Sequence, residues 1–196
     1  MVIGVLALQG AFVEHIRMLQ ALGVDARPVR LPKALEEVDG LIIPGGESTT
    51  IGKLAMAYGL LEPIQRKAKA GKPIWGTCAG MILLANEVEE DAPPLLRLMH
   101  IQVRRNAFGR QVDSFEADLA IPALDSIASA DERGLPFHAV FIRAPHVVRA
   151  GREVTVLARL EDGTIVAAQQ GNLLATAFHP ELTRDTRFHR YFLSML

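Results

Sequence analysis

Short apolar runs alternate with helical patterns through the first half of the chain, and this alternation limits the available folds more than any other feature. Strands that read as continuous apolar runs are buried on both faces, and helices between them supply the cover, which is the mark of a parallel sheet. Val2 to Leu8 is the first expected strand. Ala11 to Leu22 then sets Phe12, Ile16, Leu19 and Leu22 near one helical face, with Gly23 as its stop. Asp25 to Val29 reads as a second strand, and Gly40 to Ile43 as a third that ends in the turn Pro44-Gly45-Gly46. Ser48 or Thr49 is placed to cap the next helix, and a further helix runs from Leu60 to Ala70. Pro73 to Gly76 is a short strand feeding Thr77-Cys78-Ala79-Gly80, so a strand, a tight turn and a helix follow one another.

The acidic, proline-containing stretch from Glu87 to Pro94 reads as a surface loop, and beyond it the pattern changes to alternation. Strands are expected at Ile101 to Arg104, Phe115 to Ala120, Phe137 to Arg143, Val154 to Leu160, Thr164 to Gln170 and Leu173 to Phe178. Thr186 to Leu196 closes the chain as a helix that offers Phe188, Tyr191 and Phe192 for packing. The expected fold class is α/β, a three-layer sandwich with a mixed, mainly parallel central sheet. At 196 residues the chain fits one domain, residues 1–196.

Composition narrows the function. The 21 basic and 22 acidic residues nearly cancel, to a formal charge of −1, so no global basic field draws the chain to nucleic acid or to an anionic membrane. No apolar run approaches the roughly 18 to 20 residues that span a bilayer. The apolar start has no basic leader before it, which argues against a signal peptide. A single cysteine, Cys78, excludes an intrachain disulfide and any multi-cysteine metal site. The reading is a cytoplasmic protein with no metal and no cofactor.

That cysteine sits in Gly76-Thr77-Cys78-Ala79-Gly80, which fits the elbow in which flanking glycines permit a sharp strand-to-helix turn and expose a nucleophile. The start of the following helix favours an anionic sulfur. A nucleophile needs a base and a group to orient that base, and Phe178-His179-Pro180-Glu181 supplies both. In extended backbone residues two apart share a face, so one short segment presents His179 and Glu181 together. The order Cys, His, Glu differs from that of α/β-hydrolases, and a papain-type signature is absent.

Attack on an amide carbonyl generates an oxyanion that needs preorganised N–H donors. Ala79 N–H is one candidate, and Gly46 N–H, from a turn at the carboxyl end of a neighbouring strand, is the other. Gly46 to Lys53 superficially suggests a P-loop, but the glycine spacing is one residue too long and Leu54 stands where a magnesium-binding hydroxyl belongs. His15, His100, His138, His146 and His189 show no paired metal-ligand spacing and read as structural or solvent-facing.

Pro44-Gly45-Gly46-Glu47-Ser48, Gly76-Thr77-Cys78-Ala79-Gly80 and His179-Pro180-Glu181, in that order, resemble the triad (class I) glutamine amidotransferases. More narrowly, Leu8-Gln9-Gly10-Ala11-Phe12, the Glu-Ser-Thr-Thr turn, Arg105 to Gln111 and Phe178 to Thr183 are similar to the glutaminase subunits of pyridoxal 5′-phosphate synthases. The resemblance covers Val2 to the tail helix and implies a class I amidotransferase, flavodoxin-like fold. It implies hydrolysis of L-glutamine to glutamate and ammonia, with the ammonia channelled to a separate synthase subunit in a hetero-oligomer. That partner would build pyridoxal 5′-phosphate from a pentose 5-phosphate and glyceraldehyde 3-phosphate.

By position the resemblance makes Cys78 the nucleophile, His179 the base and then the acid, and Glu181 the orienting carboxylate. It assigns glutamine binding to Gly46, Glu47, Ser48, Arg105, Ile142 and Arg143. A carboxylate at Glu47 suits the substrate ammonium, and either arginine suits its carboxylate. Gln9 is expected at an interface or in support of the oxyanion site. Because many amidotransferases share the triad, the alternatives are another such subunit, for example of histidine biosynthesis, or a non-enzymatic regulatory protein on the same fold.

Overall fold

The computed structural model describes residues 1–89, 93–105 and 114–196. In chain order the elements are β1 (Val2–Leu6), α1 (Phe12–Ala21), β2 (Asp25–Val29), α2 (Pro32–Glu36), β3 (Gly40–Ile43), α3 (Ser48–Ala57), α4 (Leu61–Lys69), β4 (Ile74–Thr77), α5 (Ala79–Leu84) and β5 (Ala85–Val88). There follow β6 (Met99–Arg104), β7 (Ser114–Leu119), β8 (Phe137–Ile142), β9 (His146–Ala150), β10 (Thr155–Arg159), β11 (Ile165–Gln170), β12 (Leu173–Thr176) and α6 (Arg187–Leu193).

The main sheet runs β2-β1-β3-β4-β12-β11-β9-β6-β5, with β10 paired to β11, and β7 and β8 form a separate antiparallel pair. Pairing is parallel from β2 through β12 and again between β5 and β6, and antiparallel at β12–β11, β11–β9, β11–β10 and β9–β6. The mixed, mainly parallel sheet of the sequence reading is therefore present. Pro28, which cannot donate to a ladder, lies in β2 at the sheet's edge, where a missing donor is tolerated.

The central strands explain why both faces must be covered. Every residue of β3 and β4 is buried. From β4, Trp75 packs against His15 of α1 and against Phe188, His189 and Phe192 of α6. The next residue, Gly76, lies against Gly80 and Leu84 of α5, so helices clothe both faces. Gly80 has no alternative residue: a Cβ there would run into the Ile43 carbonyl of β3. Phe137, Phe141, Phe178 and Phe188 form a ring cluster that joins the β7–β8 pair to the main sheet. Each such buried aromatic contributes about 1.5 to 3 kcal/mol.

Several boundaries differ from the sequence expectation. Strand β1 stops at Leu6, two residues early. Glu87 and Val88, assigned to a loop, belong to β5, and β9 and the single-turn α2 carried no expectation. The cap of α3 is Glu47 and neither Ser48 nor Thr49, because its carboxylate curls back to accept the Thr49 and Thr50 N–H groups at 2.9 and 2.7 Å. No helix among the described residues is long and apolar enough to cross a membrane.

Candidate active site

Three neighbouring parallel strands, β3, β4 and β12, end side by side, and the segments leaving their carboxyl ends, with residues from the ends of β1, β6 and β8, build one cavity of about 300 Å³. Gln9, Gly46, Glu47, Ser48, Cys78, Ala79, Arg105, Ile142, Arg143 and His179 all line it. Every expected site residue except Glu181 thus reaches the cavity wall, and Glu181 lies buried behind His179. Of the Arg105 to Gln111 segment, only Arg105 lies within the described residues.

Cys78 occupies the turn between β4 and α5 with φ 50° and ψ −104°. A non-glycine residue at positive φ is held at a cost of about 1 to 3 kcal/mol, and surrounding structure must enforce it. Here the Cys78 N–H donates to the Thr176 carbonyl at 2.8 Å, and its carbonyl accepts from Met81 N–H at 3.1 Å. Arg143, across the cavity, is also left-handed, at φ 43°. The Cys78 Sγ stands 3.9 Å from the Ile142 carbonyl, so that β8 closes the side of the cavity opposite the turn.

His179 follows β12 and is pinned by its N–H, which donates to the Val140 carbonyl of β8 at 2.8 Å. Its ring pairs Nδ1 with Glu181 Oε1 at 2.7 Å. Burial opposes the charged ring, but hydrogen bonds and charge from Cys78 and Glu181 outweigh it and push the His179 pKa up to about 10. Burial likewise raises the Glu181 carboxyl, yet the facing His15 and His179 rings bring it below the usual range. An ionised carboxylate thus faces an imidazole that holds its proton at neutral pH. Gly45 packs on the His179 ring so closely that a Cβ would overlap it.

The Gly45–Gly46 turn is held from three sides. Gly45 N–H donates to the Thr77 hydroxyl at 3.1 Å, and the Gly45 carbonyl accepts from Ala11 N–H at 3.0 Å. Because the peptide is trans, the Gly46 N–H lies on the side away from Ala11. Gln9 Oε1 accepts from Glu47 N–H at 2.7 Å, bracing the turn from β1's end. Glu47 is the cap of α3, and its carboxyl is lowered to about 2, above all by the Thr50 hydroxyl at 2.7 Å. Arg105 reaches the same corner, with Nη2 3.6 Å from Glu47 Oε1 and 3.4 Å from the Thr49 hydroxyl.

Sequence reasoning missed His15 and His189. Both are fully buried, and His15 stands 3.3 Å from Glu181 Oε2. A histidine interrupting the apolar face of α1 was the available signal. His138 pairs with Asp118 and Glu116 on the surface, and His100 pairs with Glu153. Among the described residues no group of three or more side chains could hold a metal ion.

A sequence model of the SNO glutamine amidotransferase family matches residues 5–196. The chain belongs to that family. It is 62% identical over a 198-residue alignment to the pyridoxal 5′-phosphate synthase subunit PdxT of Herpetosiphon aurantiacus, with both chains fully covered. It is 57% identical over 194 residues to the PdxT of Moorella thermoacetica, covering 99% of this chain and 98% of the other. A solved glutamine amidotransferase superposes with a TM-score of 0.90 at 49% identity, covering 98% of this chain and 97% of that one. The PurLQS structure from Thermotoga maritima shares the fold, with a TM-score of 0.73 at 18% identity.

Proposed function

We propose that this family member is the glutaminase subunit of a pyridoxal 5′-phosphate synthase, a single amidotransferase domain that hydrolyses L-glutamine and hands the ammonia to a synthase subunit. The observation that carries the reading is Cys78 and His179 at the wall of a cavity that the glycine turn also lines, with Glu181 buried behind His179. The narrower assignment is supported by the pyridoxal 5′-phosphate synthase subunits that the chain matches over nearly their full length.

In this reading His179 already holds the proton that Cys78 gives up, and Cys78 Sγ attacks the side-chain carbonyl carbon of glutamine. The oxyanion of the tetrahedral intermediate faces Gly46 N–H and Ala79 N–H. His179 then gives its proton to the amide nitrogen, the C–N bond breaks, and ammonia leaves a thioester on Cys78. Water, deprotonated by His179, attacks that thioester, releasing glutamate and restoring Cys78 beside a protonated His179. Glu181 keeps Nδ1–H of His179 paired throughout, which fixes the ring and stabilises its positive charge. Glu47 and the arginines Arg105 and Arg143 take the ammonium and carboxylate of the substrate, Ser48 and Ile142 complete its pocket, and Gln9 supports the oxyanion turn.

The test is release of glutamate from L-glutamine by the chain alone and with a pyridoxal 5′-phosphate synthase subunit added. Release that rises strongly on addition, and disappears in Cys78→Ala, is the expected result. Equal release in both conditions would refute the partner, and no release in either would refute the glutaminase.

A further inference from the structure

Glu181 gives Oε1 to His179 and turns Oε2 toward α1, where His15 Nε2 lies 3.3 Å away and both side chains are wholly enclosed. Oε2 has no well-aligned hydrogen-bond partner among the described residues. Leaving a buried anionic oxygen unsupported is expensive, so the imidazole nitrogen beside it matters. Catalytic hydrogen bonds are often long in a resting site and tighten when substrate arrives.

Whether His15 offers an N–H depends on what lies behind it. Its Nδ1 is 2.9 Å from His189 Nε2 on α6, and its Nε2 is also 3.2 Å from the Thr77 hydroxyl. Burial holds both rings below the ordinary histidine range, so each is neutral and carries one N–H. One member of the 2.9 Å pair must donate. Were that His15 Nδ1, the Nε2 lone pair would face the anionic Glu181 oxygen. His189 Nδ1, which is buried and without a hydrogen-bond partner among the described residues, would then hold an orphan N–H. The opposite arrangement directs His189 Nε2–H to His15 Nδ1 and places His15 Nε2–H between the Thr77 hydroxyl and Glu181 Oε2. It leaves only an unprotonated nitrogen unpaired, which is the smaller loss.

We propose that His15, set in its tautomer by His189, is a positioning residue for glutamine hydrolysis, its Nε2–H holding Glu181 Oε2 so that Oε1 stays aligned with His179 Nδ1. The order His189, His15, Glu181, His179, Cys78 makes a relay of fixed orientation from α6 to the nucleophile, and no proton needs to travel its length. The same imidazole touches the Thr77 hydroxyl that holds Gly45, so one buried ring lies between the base and the glycine turn.

The activity readout rests on the glutaminase reading, whereas the placement of the proton does not. His15→Leu removes the donor, and His15→Gln restores an N–H near the position of Nε2. Assayed with the synthase subunit present, His15→Leu should lower kcat about 10- to 100-fold, as outer partners of buried catalytic groups do, with KM for glutamine unchanged. His15→Gln should recover most of that loss. Equal losses in the two variants, in proportion to lost folded protein, would overturn the proposal, as would full kcat in His15→Leu. Nitrogen-15 NMR of the unmodified chain decides independently of folding in the variants: His15 should be neutral and protonated on Nε2 at neutral pH. An Nδ1–H or doubly protonated ring would refute the proposal even in a protein without glutaminase activity. Absent activity beside an Nε2–H ring would instead count against the glutaminase alone.

Discussion

Replacing Thr77 with valine removes a single hydroxyl while keeping the shape and the strand preference of the side chain. That hydroxyl is fully buried and accepts the Gly45 N–H at 3.1 Å, so the variant leaves a buried backbone donor without its partner. The expected loss of stability is about 1 to 3 kcal/mol, a fall of several degrees in Tm for a chain of this size. Thr176 provides the control, since it lies beside Thr77 in the β4–β12 register, is equally buried, and accepts the Trp75 indole N–H at 3.2 Å. Thr176→Val should cost a similar amount of stability and leave the glycine turn intact. The two variants should therefore separate in activity. Thr77→Val removes one of the three holds on the turn that carries a proposed oxyanion donor, together with the Thr77 contact to His15, and kcat for glutamine hydrolysis should fall at least about 10-fold, toward the roughly 100- to 1,000-fold of losing such a donor outright. Urea unfolding and glutamate release in the presence of the synthase subunit, measured on both variants, form the assay. Equal kcat in the two at equal stability would refute the link between Thr77 and the turn.

Three further outcomes are expected. His179 holds its proton more tightly folded, at a pKa of about 10, than unfolded near 6.5, so its contribution is complete below about pH 6.5 and lost as pH rises through 10. Urea unfolding of the native chain should lose stability over that window more steeply than His179→Gln, and parallel slopes would contradict the shift. Glu47→Ala should destabilise by about 0.5 to 2 kcal/mol through loss of the α3 cap and should also raise KM for glutamine; thermal unfolding with steady-state kinetics checks both, and an unchanged KM would remove Glu47 from substrate binding. Gly80→Ala places a methyl against the Ile43 carbonyl and should cost at least about 1 to 3 kcal/mol, read by denaturant titration. Wild-type stability there would mean that α5 can move off β3.

The parts of the site that sequence made visible are those whose position follows from a strand end. Gly76-Thr77-Cys78-Ala79-Gly80 announces its turn because two glycines are needed where α5 and β3 approach. His179 and Glu181 are legible for a similar reason, since they sit just past the last apolar strand and their i, i+2 spacing brings them together. What stayed hidden depends on packing. β9 was invisible because only Val147 among its five residues is buried, and neighbouring strands, not an apolar face, hold it in the sheet. The α3 cap went to Ser48 or Thr49 on side-chain type, whereas the longer Glu47 carboxylate reaches two N–H groups at once. His15 looks like a break in an apolar stripe until α6 lays His189 beside it, and that contact joins residues 174 positions apart.

The ends of two parallel strands, β4 and β12, also set how the site comes apart. Cys78 N–H is bonded to Thr176, Ala177 N–H to Val166 and His179 N–H to Val140, each at 2.8 Å. These bonds tie the ends of β4 and β12 to β12, β11 and β8, so in heavy water the three amides should exchange with the slowest class of the chain, through the same large opening. Loss of catalytic alignment on warming should therefore coincide with loss of the sheet, with no interval in which a folded chain carries a dispersed triad. The mouth is different: Glu47 and Ile142 are exposed there, so surface motion can change access to the cavity without disturbing the chemistry beneath.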